Sequence, residues 1–115
     1  MITRKTSGAI TVNSGYTSRW QNLVKVNGIV YGAFFIDATN VISSRVTIGN
    51  IPSGFRPQMN VAYFCPASDS VNGYQNRATN VIITTGGEIV VGDIFVPVGQ
   101  TIKEICCAFA YNQGN

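Results

Sequence analysis

A chain of 115 residues falls within the size of one domain and is too short for two ordinary ones. Its 45% hydrophobic content excludes a disordered chain, yet its 11% of charged residues is less than half of the roughly 25% usual in a soluble domain. The net charge of +3 is scattered over isolated side chains, which argues against nucleic acid as a partner, because such proteins gather Lys and Arg on one face.

Residues 1–7 are polar and basic and are expected to form a flexible lead into a single domain over 8–111, with 112–115 as a flexible tail. No apolar stretch of roughly 7–15 residues follows the basic start, so no signal peptide is readable. No run approaches the 18 or so apolar residues of a membrane helix, and membrane insertion is not expected. The side-chain period is then two almost everywhere. Ile10 and Val12 share one face; Val24 and Val26 share another, opposed to Leu23 and Lys25. Asn27-Gly28 predicts a two-residue hairpin turn with positive φ at both positions. The strand that follows, 29–37, is apolar on both faces. Such a strand lies inside a sandwich or beneath another subunit.

Val46 and Ile48 continue the alternation, and the segment 49–57 breaks it with two prolines and two glycines as a structured loop. Met59, Val61, Tyr63 and Cys65 restart a strand, and a polar stretch, 66–77, follows it. Val81 and Ile83 lead to a turn at Gly86-Gly87 and a return through Ile89 and Val91. A short piece ends at Pro97, and a last strand, 101–111, is again apolar on both faces. The pattern predicts an all-β protein, an antiparallel sandwich of about eight strands related to a jelly roll. Low charge with a positive mean hydropathy points further to an oligomer that buries apolar surface twice.

The inventory of reactive groups is thin. With no histidine, neither a Ser-His-Asp nor a Cys-His site can be assembled, so binding rather than catalysis is expected. The five acids, Asp37, Asp69, Glu88, Asp93 and Glu104, read as solvated surface groups, although a carboxylate pair can come from distant strands. The three cysteines lack metal-ligand spacing and read as buried, reduced thiols suited to folding in a cytoplasm. No cofactor is expected; Asp69 with Ser68, Ser70 and Asn72 is only a faint calcium pattern, equally well read as turn chemistry. The polar stretch collects what a sugar site uses: Tyr74 to stack on C–H bonds, and Asp69, Asn72, Gln75 and Arg77 to reach hydroxyls. An ordinary loop would have much the same composition. Trp20 is either a packing anchor or a stacking platform.

The loop Ile51-Pro52-Ser53-Gly54-Phe55-Arg56-Pro57, followed by the alternating Val61-Ala62-Tyr63-Phe64, resembles C-terminal modules of tail-fibre and baseplate proteins from phages of Gram-positive bacteria. The flanking Val24–Tyr31 and Asn80–Ile89 stretches resemble that family's paired strands and turns, over roughly 8–111 in all. The resemblance implies a homotrimeric β-sandwich head that holds host cell-wall saccharide on a virion tail, made in the host cytoplasm and in contact with other tail or baseplate proteins. The sequence starts so close to its first strand that no stalk is readable, and a C-terminal domain excised from a longer protein is expected. The resemblance places no binding residue, since the loop itself reads as architecture. Two other readings follow from the same residues: a purely structural trimerisation module, and a glycan-cleaving enzyme.

Overall fold

The computed structural model describes residues 4–69 and 77–114. Within them lie nine strands and no helix: β1 (Lys5–Ser7), β2 (Thr11–Val12), β3 (Tyr16–Val26), β4 (Ile29–Ile42), β5 (Val46–Asn50), β6 (Val61–Ser68), β7 (Ala78–Ile83), β8 (Glu88–Val96) and β9 (Ile102–Asn112). All pairings are antiparallel, in the order β1-β3-β4-β9-β6-β7-β8-β5-β2.

Asn27 and Gly28 take φ of 51° and 83°, as the two-residue turn between β3 and β4 requires. The other expectations meet two differences. A β-sandwich is the expectation, and the described strands form one continuous curled ladder, because β6 belongs to both halves. Val61 to Pro66 pair with β7, and then Ala67 and Ser68 pair with β9. The strand changes neighbour at Pro66, which has no N–H to give to a ladder. The count is nine against about eight, and Lys5–Ser7 at the chain start is a short edge strand that the alternation does not predict. Lys5–Ser7 pairs with Val24 to Val26, so the sheet begins ahead of the expected boundary at residue 8 and runs through Asn112.

Connectivity makes the sheet curl. β1 and β2 are its opposite edges, yet only residues 8–10 join them, a span of at most about 14 Å. Gln21 seals the gap like a piece of strand: its Oε1 accepts from Ile10 N at 2.6 Å, and its Nε2 donates to Ile10 O at 2.7 Å. The half-barrel so formed encloses one core, in which Leu23, Val30, Phe34, Ile36, Ile48, Ile51, Ile83, Ile89, Ile102 and Ile105 are all but inaccessible. Cys65 and Cys107 face this core as free thiols.

The 51–57 loop closes one end. Ile51 and Phe55 drop into the core, and Arg56 Nε donates to Ile51 O at 3.0 Å. The Tyr111 hydroxyl donates to Phe55 O, and Lys25 donates to Gly54 O at 2.8 Å. The loop is structural, as its prolines suggest.

Candidate functional site

The strand pairs β3-β4-β9 turn one face to the core and the other outward. On the outer face Ile29, Tyr31, Ala33, Phe35 and Asp37 alternate along β4, and Glu104, Cys106, Ala108 and Ala110 lie opposite them on β9. This is why both strands read as apolar on two sides, and the described chain leaves much of that second side uncovered. Tyr31 is 46% exposed and Ile29 37%.

One irregularity organises the charged end of this face. Ser18 pairs with Ile36 and Trp20 with Phe35, so Arg19 has no partner in the ladder and forms a β-bulge. An extra residue shifts the alternation by one. Arg19 and Trp20 therefore both turn outward instead of to opposite sides. Trp20 is therefore no core anchor, being 48% exposed and tilted against Phe35 with ring centroids 6.3 Å apart.

Arg19 reaches back over the face. Its Nε meets Asp37 Oδ2 at 2.5 Å, its Nη2 meets Glu104 Oε2 at 2.6 Å, and its guanidinium lies 4.5 Å from the Phe35 ring centroid. Asp37 and Glu104 are direct cross-strand partners. Two like charges in that relation repel, and one shared guanidinium offsets the repulsion. Ser68 Oγ donates to the other Glu104 oxygen at 2.6 Å. Asp37 Oδ1 is buried and has no hydrogen-bond partner among the described residues.

Ser68 lies within the polar stretch 66–77. Asp69 and Arg77 belong to the same stretch and pair at 3.1 Å, with side chains only 16% and 14% exposed. Arg77 also donates to Thr101 O at 2.6 Å. These two expected sugar contacts are thus bonded to each other, and Arg77 also to the residue that precedes β9. Asn72, Tyr74 and Gln75 lie outside the described residues. Trp20, Arg19, Asp37, Glu104 and Ser68 form one continuous path across the face.

Two residues of that path, Asp37 and Glu104, were read as solvated acids. Asp93, paired at 2.9 Å with Arg45 on the surface, fits that description, as does exposed Glu88. Glu104 does not, at 9% exposure. A signal was present: each of the two acids interrupts an otherwise apolar strand, where a lone solvated charge has no reason to sit. Arg19 carried no such signal, because a bulge is a property of the pairing and not of one strand.

What the face offers is a half-exposed indole beside fixed carboxylate and guanidinium groups, a combination that can stack on a sugar ring and bond its hydroxyls. Among the described residues no three His, Cys, Asp or Glu side chains gather as metal ligands.

No family model matches the sequence, and no curated protein matches it. Among solved structures, the chain is similar to the receptor binding protein (gp15) of Listeria phage PSA, with a TM-score of 0.60 at 11% identity. The likeness covers 96% of this chain and 67% of that one. At that identity it shows a shared fold.

Proposed function

We infer that this chain is the receptor-binding head of a phage tail protein, attaching the virion to a cell-surface saccharide of its host. The observation that carries the reading is the fold likeness to a phage receptor-binding protein over nearly the whole chain. The tail-module resemblance of the 51–57 loop and its flanking strands supports it from the sequence. In this reading the Trp20 face is the contact surface. Trp20 and Phe35 stack on the sugar, and the Arg19-Asp37-Glu104 group presents polar atoms at fixed positions. Asn72, Tyr74 and Gln75 supply further contacts in this reading. The chemistry is recognition, not bond cleavage, with both carboxylates of the face held by Arg19. The protein works as a homotrimer on the tail, beside other tail or baseplate proteins. Each site is weak, and many copies per particle raise the avidity.

The test is adsorption of the purified protein, or of particles carrying it, to host walls. Trp20→Ala removes an exposed side chain, so the fold stays intact while saccharide affinity falls about ten-fold, the worth of one good stacking contact. Unchanged adsorption by this variant excludes the Trp20 face.

A second reading, a module that only trimerises or caps a fibre, is favoured by the exposed Ile29 and Tyr31 beside the small residues Ala33, Ala108 and Ala110. Binding to a tail component together with no retention on any host wall fraction selects it.

A further inference from the structure

A cleft of about 280 Å³ opens at the end of the half-barrel where β3 begins, and it shares no residue with the Trp20 face. Ser14 and Tyr16 form one wall. Asn40, Ser43 and Ser44, where β4 turns into β5, form the other, and Ile42 and Val46 add apolar surface between them.

Both walls are held in place by the fold. Thr39 N donates to Gly15 O at 2.8 Å, which fastens the turn before β3 onto β4. Beyond the Asp37–Glu104 pair the β4–β9 register resumes only at Ile42–Ile102, so residues 38–41 oppose residue 103 alone and the surplus backbone bows outward. The β4–β5 turn rests on Gly92 of β8. That glycine has φ +86°, and a Cβ there would stand 2.6 Å from the Ser44 carbonyl oxygen. The cleft is therefore preformed, with no loop to be ordered on binding.

Its chemistry is uniform. No Asp, Glu, Lys or Arg lines it, and its one titratable side chain, Tyr16, has its pKa raised by burial, so it stays neutral. Arg45, between Ser44 and Val46, is engaged by Asp93 at 2.9 Å. A phosphate or an ammonium group would lose hydration here and meet no opposite charge. Hydroxyls and an amide around an apolar floor instead suit a ligand with both C–H and O–H faces and no charge. The volume lies just below the roughly 300–1,000 Å³ of drug-sized sites, enough for one ring and too little for a chain.

We propose that this cleft binds a single uncharged pyranose unit of a glycan, as a site separate from the Trp20 face. The proposal rests on the receptor-binding reading and narrows it: one of the recognised sugars is neutral, and its ring enters the end of the half-barrel.

The experiment is an amide NMR titration of the intact chain with neutral methyl glycosides (glucoside, galactoside, rhamnoside and N-acetylglucosaminide), with glycerol phosphate as the charged control. Saturable shifts are expected at residues 14–16 and 40–46. Asn40→Ala, a change at an exposed position, is expected to weaken the binding about ten-fold, as loss of a well-placed hydrogen-bonding group does. Silence of these amides toward every neutral glycoside, or a response to glycerol phosphate alone, overturns the proposal. A wall fragment that then shifts Trp20 and Phe35 leaves the receptor-binding reading standing without this cleft. A wall fragment that shifts nothing anywhere removes both.

Discussion

Arg19 donates to two carboxylates that the β4–β9 register places opposite each other, one of them nearly buried. Removing the guanidinium leaves Asp37 and Glu104 facing each other uncompensated, with only Ser68 still on Glu104. Arg19→Ala is therefore expected to lower stability by about 2 kcal/mol, below the figure for a fully buried pair because Arg19 itself is half exposed. Denaturant unfolding measures this, and a change under about 0.5 kcal/mol shows that the cluster adds nothing to the fold. The residue scale is also where the sequence said least. Trp20 was visible as an unusual residue but its direction was not, since that depends on which neighbour skips a partner. Asp69 and Arg77 carry the chemistry of sugar contacts in the sequence, and the structure pairs them with each other.

At the scale of elements, β9 is tied to the 51–57 loop through Tyr111, whose buried hydroxyl donates to Phe55 O. Burial, with Tyr63 nearby, raises the Tyr111 pKa above its ordinary 10.0, and the Cys107 thiol is raised above 9.0 by its hydrogen bond to Cys65 and by burial. Both groups are neutral acids held neutral in the fold. The stability they contribute is complete below the unfolded values and is lost as pH rises above them, because the unfolded chain then releases protons that the folded chain keeps. Thermal unfolding is expected to show a constant Tm through neutral pH and a fall beginning near pH 9 to 10. Tyr111→Phe should cost about 1 kcal/mol at pH 7 and make the alkaline fall shallower. A Tm independent of pH up to 11 contradicts this reading, on the order-of-magnitude linkage of about 1.4 kcal/mol per pKa unit. Most elements were legible beforehand: the Asn27-Gly28 turn, the strands on either side of it and the rigid 51–57 loop follow from local rules of φ and alternation. β1 was not legible, because three polar exposed residues become a strand only when the edge of β3 is there to pair with them.

For the whole molecule, the outer β3-β4-β9 face decides what the chain does in company. Its apolar residues are excessive for a surface and are not covered by the chain's own described residues. In the receptor-binding reading a neighbouring copy covers the Ile29 and Tyr31 end of the face and leaves Trp20 and Phe35 open, and light scattering on a sizing column is expected to give a mass near three times the 12.4 kDa chain. A mass of one chain at micromolar concentration removes the homotrimer from the proposal. The Trp20 face would then have to bind as isolated, weak sites.

Local chemistry in the sequence determined that this protein is all β, where most of its strands lie, and which loop stiffens one end, because period-two alternation and turn residues act over a few positions. The two apolar faces of β4 and β9 were visible as well. Only tertiary structure decided that the strands form one curled sheet, since this depends on β6 changing partners and on edges that residues 8–10 draw together. It alone decided that Arg19, Asp37, Glu104 and Ser68 meet, because cross-strand register is a relation between distant segments and no single strand encodes it.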